Sequence, residues 1–438
     1  MTITPTRETL DATIVQIIGG HPLSGRIPVQ GSKNIALHLY AAALLTDAPV
    51  VLAAVPDIID TAVCAQILTH TGATVTTTGG RFAVAPALAT AINPVIHPEL
   101  GHRVRTTVVL AAAMLARTGQ VMLPYPGGDA FCPRLIDRHL AAMQAAGAEV
   151  TADATGIRAR CGPRGLQAFT VDVNTPYGPS LGATVTAMLL AARARGSSLI
   201  THPSIEPEVT ETARFLAERG VAIHFDEQGL HVVGSEWITG GGFTVAGDRI
   251  EAATMIMAAA STGGNVHLDG ITLASIPEGL TAALATAGIS LTDDASGGIR
   301  SILDGPLRAI TTATGPHPAL PTDTAPQLAA MLTQADGSSL IAERVYPRRD
   351  THIKGLRAFG AEISATGSII GVRGPVRLRA ASAAAEDIRA VTALLIAALA
   401  AEGASTIRGM YHLRRGYGRL LANLATLGAD ITITSEAP

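Results

Sequence analysis

The chain has 438 residues, a formal net charge of −3, 47% hydrophobic residues and only 3% aromatic residues. This length exceeds one ordinary compact core, so two domains of roughly 200 residues are expected. The acidic balance excludes a broadly basic surface for nucleic acid, and the apolar runs are shorter than the roughly 18 residues that span a membrane.

The N-terminal segment carries acidic residues and has no uninterrupted apolar stretch. It is therefore not expected to be a signal peptide, and a cytoplasmic location is predicted. The three cysteines form no CxxC pair, which argues against a disulfide framework or a zinc site; they are Cys64, Cys132 and Cys161. Several histidines stand singly, namely His102, His139, His317, His352 and His412. We predict no metal site and no cofactor.

One short pattern occurs six times at an even spacing of about 70 residues, which is typical of a repeated unit. Each copy is a helix-like apolar stretch that ends in glycine and is followed by an alternating, strand-like segment. The glycines are Gly72, Gly147, Gly220, Gly288, Gly360 and Gly428. Each is expected just beyond a helix end, where a left-handed backbone favours a residue without a side chain.

The second unit illustrates the prediction in chain order. Residues 105–117 form a helical apolar run, residues 121–124 are extended, and residues 134–146 have the apolar spacing of a helix with one buried face. The alternation from Ala148 to Ala152 then predicts a half-buried strand. Six such units, grouped three and three, predict two similar halves with a ligand-binding cleft between them.

Two places mark the predicted domain limits. A Thr-Gly-Gly-Gly segment lies within residues 239–247, and a second crossing is expected near Gly31. The sequence therefore predicts a first domain of residues 33–246, and a second domain formed by residues 1–32 together with residues 247–438.

The segment that carries Lys33 and Asn34 passes from a strand through Gly31 into an apolar helix. Free N–H groups and the helix dipole favour an anion at such a helix start. The alternative is an ordinary solvated turn with Asn34 as a cap. Asp323 precedes another apolar run and could equally be an N-cap residue.

Two further segments are ambiguous when each is taken alone. Pro-Gly-Gly-Asp129 before a helix fits a mobile lid, although most such loops are simply loops. Arginines cluster later in the chain, and a run of arginines is usually a solvated face; they include Arg344, Arg348, Arg349, Arg389, Arg414 and Arg415.

Together these segments resemble the enolpyruvyl transferases. The resemblance extends from about Ile18 to Ile433 and includes, in the family's order, GSKN, RTT, PGG-x5-R, SLGATVT, EPE, GDRI, PHPALPTD, DIR and RGY. Asn34 directly after Lys33 indicates the branch that acts on a nucleotide sugar rather than on shikimate 3-phosphate.

The resemblance implies an α/β (α+β) fold: a two-domain inside-out α/β barrel of six βαβαββ-type repeats, with sheets outward and helices buried. It implies transfer of the enolpyruvyl group of phosphoenolpyruvate to the 3-hydroxyl of UDP-N-acetylglucosamine, with release of phosphate, by addition and elimination. The expected partners are therefore small-molecule substrates. No nucleic-acid or membrane partner is predicted, the oligomeric state is left open, and closure of the two domains is expected to assemble the site.

The family's site residues carry over by position. Asp129, Asp323 and Lys33 would be catalytic, with Asp323 receiving the acceptor's proton. The phosphoenolpyruvate-binding cations would be Lys33, Arg105, Arg134, Arg349, Arg389 and Arg415. The acceptor would be held by Asn34, Asp137, Arg138, His139, Ser180, Leu181, Gly182, Asp323 and Val345.

The chain also departs from the family's pattern. Asp129 stands where most members have the cysteine that fosfomycin alkylates, so insensitivity to this drug is expected. Near the acceptor, Leu135, Arg138, Gly178 and Arg414 are unusual. Two alternatives therefore stay open: transfer to another uridine nucleotide such as UMP in nucleoside-antibiotic biosynthesis, and a ligand-binding homologue without catalysis.

Overall fold

The computed structural model describes residues 7–129, 131–132 and 135–435. Within these residues the chain forms two compact units. Unit 1 comprises residues 7–30, 129, 131–132 and 246–435, and unit 2 comprises residues 31–128 and 135–245.

Fifteen α-helices lie in the described residues. In chain order they are α1 (Arg7–Asp11), α2 (Lys33–Leu44), α3 (Ile59–His70), α4 (Pro98–Gly101), α5 (Thr107–Thr118), α6 (Asp137–Ala145), α7 (Leu181–Ala191), α8 (Pro207–Ala217), α9 (Arg249–Ser261), α10 (Glu278–Ala287), α11 (Ala325–Leu332), α12 (Thr351–Ala358), α13 (Ile388–Ala400), α14 (Met410–Arg414) and α15 (Leu420–Thr426). Short 3₁₀ helices span Ala89–Ala91, Leu273–Ser275 and Thr322–Thr324.

The strands of the described residues begin with β1 (Thr13–Ile18), β2 (Gly25–Pro28), β3 (Val50–Ala53), β4 (Thr74–Thr78), β5 (Arg81–Ala85), β6 (Gln120–Leu123), β7 (Ala148–Asp153), β8 (Gly156–Cys161), β9 (Thr170–Asp172), β10 (Asn174–Thr175), β11 (Gly178–Pro179) and β12 (Ser197–Thr201). They continue with β13 (Ala222–Asp226), β14 (Gly229–Val233), β15 (Gly241–Thr244), β16 (Val266–Asp269), β17 (Ile289–Asp293), β18 (Ile299–Leu303), β19 (Thr311–Ala313), β20 (Gly337–Ala342), β21 (Glu362–Thr366), β22 (Ile369–Gly374), β23 (Ser382–Ala384), β24 (Ala404–Arg408) and β25 (Asp430–Ser435).

One sheet plan recurs in both units. A strand runs parallel to the strand that follows a central helix, and an antiparallel pair completes the sheet. In unit 1 the strand orders are β2-β16-β18-β17, β19-β20-β22-β21 and β23-β24-β1-β25. In unit 2 they are β15-β3-β5-β4, β6-β8-β7 and β9-β12-β14-β13, with a separate β10-β11 ribbon. The predicted six-repeat fold is confirmed.

Some sheets include a strand from a distant part of the sequence. The N-terminal strands β1 and β2 complete two sheets of unit 1, because β1 pairs with β24 and β25 and β2 pairs with β16. Strand β15 likewise returns to the first sheet of unit 2 by pairing with β3 in parallel.

Each unit is built on three central helices whose surfaces are almost entirely buried. In unit 1, α9, α11 and α13 contact one another, and in unit 2, α5 packs against α2 and α7. Their sequences are rich in alanine, and residues 183–191 of α7 and all of α9 are buried. Small side chains let such helices approach closely, which explains the low aromatic content.

The six predicted glycines all follow an outer helix and all have a positive φ. The φ values are 95° at Gly72, 94° at Gly147, 93° at Gly220, 101° at Gly288, 87° at Gly360 and 103° at Gly428. This is the left-handed region that a Cβ disfavours, so the structure confirms the predicted helix-ending role. No α-helix among the described residues is both long and apolar enough to cross a membrane.

Candidate active site

The N-terminal ends of the central helices carry several of the predicted site residues. Lys33 is the first residue of α2, and Ser180 caps α7 by accepting a hydrogen bond from the Ala183 N–H (3.3 Å). In unit 1, Asp323 lies in the 3₁₀ helix that leads into α11, and Arg389 is the second residue of α13. Helix N-termini favour anions, so this placement suits phosphate and carboxylate ligands.

Asp323 is held by two buried arginines. Its Oδ1 lies 2.8 Å from Arg349 Nη1 and its Oδ2 lies 2.6 Å from Arg389 Nη2. Burial alone would raise the pKa of Asp323, but Arg389 and Arg349 hold it far below the ordinary aspartate value. The alternative that Asp323 is an N-cap is wrong, because the residue before α11 is Thr324 and it makes no side-chain capping bond.

The two arginines also have unused donor atoms. Arg349 and Arg389 are 4% and 5% exposed, and the Nε atom of each has no hydrogen-bond partner in the part of the chain that the structure describes. Arg349 Nη1 donates to Thr322 Oγ1 (3.0 Å), and Arg389 Nη1 donates to Tyr417 Oη (2.8 Å). Buried guanidinium groups with spare donors are suited to a further carboxylate or phosphate.

Glu343 holds the loop beside Arg349 and Arg389 by several hydrogen bonds. Its Oε2 accepts from Thr322 Oγ1 (2.8 Å), and its Oε1 accepts from Thr314 Oγ1 (2.7 Å) and from the Val345 N–H (2.9 Å). Val345, which was predicted to bind the acceptor substrate, therefore already donates its backbone N–H to the Glu343 carboxylate. Thr322 links this network to Arg349.

Asp129 lies in a second charged cluster of unit 1. Its Oδ1 accepts from Arg415 Nη1 and is 3.6 Å from His412 Nδ1, while its Oδ2 accepts from the Ile388 N–H at 3.4 Å. The Asp129 side chain is only 7% exposed. The N-terminal end of α13, which carries Arg389, thus also contacts Asp129.

In unit 2, Lys33 forms an ion pair with Asp60 of α3, with Nζ 2.9 Å from Oδ2. The cap of α2 is Ser32, whose Oγ accepts from the Ile35 N–H, so the prediction of Asn34 as the cap is wrong. Arg105 lies before α5 and donates to the Leu135 carbonyl (2.7 Å). The interaction orients the Arg105 guanidinium toward the start of the segment that leads into α6.

The start of α6 packs against the start of α7. His139 is buried, and its Nδ1 lies 2.8 Å from Thr186 Oγ1 of α7. A Cβ at Gly182 would meet His139 Cε1 at 2.8 Å, so only glycine lets these helices come so close. Asp137 and Arg138 lie beside His139 with side chains that are 64% and 39% exposed, and Arg138 Nε is 3.8 Å from Asp137 Oδ2.

Comparison with known proteins identifies the family of this chain. Residues 17–424 match the family of EPSP synthase (3-phosphoshikimate 1-carboxyvinyltransferase). The chain belongs to this family. It is 36% identical over 420 residues to a UDP-N-acetylglucosamine 1-carboxyvinyltransferase of Hyphomonas neptunium. The matched region covers 95% of this chain and 97% of that protein. These matches make the chain an enolpyruvyl (carboxyvinyl) transferase.

Solved enolpyruvyl transferases have the same fold. The enolpyruvyl transferase NikO from Streptomyces tendae superposes with a TM-score of 0.85 at 26% identity, over 97% of this chain and 99% of that one. EPSP synthase from Acinetobacter baumannii superposes with a TM-score of 0.77 over 97% of this chain and 100% of that one. Its identity is 18%, so it supports the fold alone.

In this enolpyruvyl transferase several of the described site residues come together in three groups. Unit 1 brings Asp323 together with Arg349 and Arg389, and Asp129 together with Arg415. Unit 2 brings Ser180, Leu181 and Gly182 at the start of α7 next to His139. The predicted phosphate ligand Arg134 lies outside the described residues.

The sequence analysis missed the partners that position these groups. Asp60, Thr322, Glu343 and His412 were not predicted, although each contacts a predicted residue or its immediate neighbour. The interpretation of the arginine run as a solvated face is wrong for Arg349, Arg389 and Arg415, which are 4%, 5% and 5% exposed. A buried arginine needs an acidic partner, and Asp323 and Asp129 were the available signals.

Proposed function

We propose that this enzyme transfers the enolpyruvyl group of phosphoenolpyruvate to the 3-hydroxyl of UDP-N-acetylglucosamine and releases phosphate. The observation that carries the proposal is the buried pair Arg349 and Arg389, which grips the Asp323 carboxylate and keeps spare Nε donors. The acceptor is supported by relatives named for that substrate, at 35% and 36% identity over 95% of the chain.

In this proposal Asp323 occupies the place of a substrate carboxylate until phosphoenolpyruvate arrives. The carboxylate of phosphoenolpyruvate competes for the guanidinium groups that hold Asp323 at 2.8 and 2.6 Å. Once those cations turn to the substrate, the pKa of Asp323 rises towards its ordinary value. Asp323 then becomes a competent proton acceptor for the attacking hydroxyl.

The addition step moves two protons. The acceptor's 3-hydroxyl oxygen forms a bond to C2 of phosphoenolpyruvate while its proton passes to Asp323. The methylene carbon C3 receives a proton from the carboxylic acid form of Asp129, which gives a tetrahedral ketal. In the elimination step C3 returns a proton to the Asp129 carboxylate, the C2–C3 double bond re-forms, and the phosphate leaves with the electron pair of its C2–O bond.

The remaining charged residues bind the substrates' anionic groups. Phosphoenolpyruvate and a UDP-sugar together carry about five negative charges, and each close ion pair contributes up to about 4 kcal/mol at an effective dielectric of about 20. Lys33, Arg134 and Arg415 would bind the phosphate, and Arg105 belongs to the same set of phosphoenolpyruvate-binding cations. The start of α7, at Ser180, would receive the diphosphate because free N–H groups lie there.

Other residues of unit 2 would bind the rest of the acceptor. Asn34, in the first turn of α2, would contact the sugar, and Asp137, Arg138 and His139 would border the uridine. His139 is held by Thr186, so its ring is already oriented before the nucleotide binds.

A second acceptor, another uridine nucleotide such as UMP, is favoured by the start of α6. Leu135 is 79% exposed, and the Arg138 side chain is 39% exposed beside it, which gives this border a character unlike that of the family. The chain also shares its fold with the enolpyruvyl transferase NikO at 26% identity, and enzymes of one fold can act on different acceptors.

Phosphate release from phosphoenolpyruvate tests the proposal. The assay is run in parallel with UDP-N-acetylglucosamine, UMP and shikimate 3-phosphate, and kcat/KM is compared. The highest value is expected with UDP-N-acetylglucosamine. A higher value with UMP would establish the second acceptor, and release with none of the three would favour the ligand-binding homologue.

A further inference from the structure

The last hairpin of unit 2 carries a cluster of metal-ligating side chains far along the chain from the residues discussed above. Strands β13 and β14 pair antiparallel, and the register places His224 opposite His231 and Asp226 opposite Gly229. Leu230 and Val232 of β14 are fully buried, so by strand alternation His231 points to the other, solvent-facing side. His224 shares that side as its cross-strand partner.

The three side chains converge on one point. The imidazole rings of His224 and His231 stack with centroids 4.6 Å apart and an interplanar angle of 1°. Asp226 Oδ2 lies 3.0 Å from His231 Nε2 and 3.8 Å from His224 Nε2. One ligand atom from each residue lies within 4.8 Å of the others.

Asp226 lies diagonally across the hairpin from His231 and contacts its ring. The register partner of Asp226 is Gly229, and Asp226 Oδ1 lies 3.1 Å from His231 Nε2. The turn N–H groups of Gln228 and Gly229 donate to Asp226 Oδ1 at 2.8 and 3.2 Å. These bonds fix the carboxylate in place before any ion arrives.

Two imidazole nitrogens and one carboxylate oxygen form a donor set that suits zinc. Zinc–nitrogen and zinc–oxygen bonds are about 2.0–2.2 Å, so ligand atoms around a tetrahedral ion lie about 3.3 Å apart. One metal ion must lie in the plane of both imidazole rings, so the stacked, parallel rings of His224 and His231 have to turn relative to each other. His224, whose side chain is 64% exposed, can make this turn by rotating about its side-chain torsions. Magnesium and calcium prefer oxygen ligands in larger numbers, so this set disfavours them.

We propose that His224, Asp226 and His231 bind one Zn²⁺ ion on the outer face of this sheet. Strand β13 is the edge strand of the order β9-β12-β14-β13. The ion ties this edge strand to β14 by side-chain ligands in addition to the backbone ladder. Three protein ligands leave a fourth tetrahedral position for water.

The test is a calorimetric titration of Zn²⁺ into the full chain after removal of any affinity tag. His224→Gln and His231→Gln each remove one ligand, and His202→Gln is the matched control. His202 is an exposed histidine of the same unit that contacts a single carboxylate, with Nδ1 3.0 Å from Asp172 Oδ1. Zinc affinity is expected to fall at least about tenfold in the two hairpin variants and to stay unchanged in the control.

The proposal would be overturned by a wild-type protein that binds no Zn²⁺ at micromolar concentrations. Equal weakening of Zn²⁺ binding in His202→Gln and His231→Gln would overturn it as well. Mg²⁺ is titrated alongside and should not bind; comparable Mg²⁺ binding would also contradict the assignment. Anomalous scattering from Zn²⁺-soaked crystals locates the ion directly, and density away from the hairpin would exclude this site.

Discussion

Replacement of Asp323 by asparagine tests the proposed proton acceptor most directly. The substitution keeps the size of the side chain but removes its charge and its basicity. In the wild-type protein the carboxylate accepts from Arg349 at 2.8 Å and from Arg389 at 2.6 Å. Asparagine is neutral and offers one carbonyl oxygen, so both buried arginines lose this counter-ion and at least one also loses its hydrogen-bond acceptor.

The expected effects differ for stability and for turnover. Removing one partner of a buried ion pair costs about 3–5 kcal/mol. The Asp323 side chain is 26% exposed, so water screens part of the loss, and we expect a decrease in unfolding free energy of about 2–3 kcal/mol. Loss of a general base lowers kcat about 10²–10⁴-fold, which is about 3–5 kcal/mol of transition-state stabilisation.

The assay separates catalysis from binding. Phosphate release gives kcat, and calorimetry gives the affinity for phosphoenolpyruvate. Because the substrate carboxylate competes with Asp323 for the arginines, Asp323→Asn should bind phosphoenolpyruvate as tightly as the wild type or more tightly. Thr322→Val is the control. It removes a hydroxyl that contacts Arg349 and Glu343, but it leaves the proposed proton acceptor Asp323 in place.

Two outcomes would refute this reasoning. A kcat within about tenfold of the wild type would exclude Asp323 as the base, because a general base contributes at least about a hundredfold. Weaker binding of phosphoenolpyruvate by Asp323→Asn would exclude the carboxylate exchange. If Thr322→Val lowered kcat equally, the effect would belong to the shape of the 3₁₀ helix.

Three further changes have defined outcomes. Gly182→Ala should raise KM for the uridine nucleotide at least about tenfold by displacing His139, whereas Gly162→Ala, where a Cβ meets open space, should not, as steady-state kinetics will show. Burial, with a smaller contribution from a nearby carboxylate, raises the pKa of Glu251 from 4.5 to about 8. The folded state therefore prefers the protonated carboxyl, wild-type stability falls as pH rises from about 4.5 to about 8, and thermal unfolding of Glu251→Gln should show a gain at pH 9 that is absent at pH 4.5. Fosfomycin should leave the wild type active, while Asp129→Cys should lose activity with time in the drug because a thiolate replaces the carboxylate.

The repeated architecture was predictable because its signals are local. A helix end, a residue without a side chain and an alternating strand lie within about a dozen residues, and the six glycines adopt the left-handed backbone that this pattern requires. The strand pairing that completes each sheet was harder to predict from the sequence. Strand β1 pairs with β25 from the far end of the chain, and no residue near β1 in the sequence indicates that pairing.

The site was only partly predictable because its contacts connect distant residues. Arg389 and Asp323 are separated by 66 positions, and Arg415 and Asp129 by 286. A resemblance identifies such residues one by one, but their ion pairs depend on the tertiary fold. The same reason hid the His224 and His231 pair, which strand register rather than sequence spacing brings together.

The structure of the central helices explains why several charged residues of the proposed site lie at helix ends, where the repeats differ in sequence. Their middles are fully buried and alanine-rich, so a charged side chain there would have no partner or solvent. Only the N-terminal ends combine free N–H groups with a positive dipole. In unit 1 these ends differ: Asp248 caps α9 and Asp387 caps α13, whereas α11 has no side-chain cap. The two capped ends each already hold a carboxylate, whereas Asp323 beside the third is held by Arg349 and Arg389. We therefore propose Asp323, rather than either capping aspartate, as the carboxylate that an incoming substrate displaces.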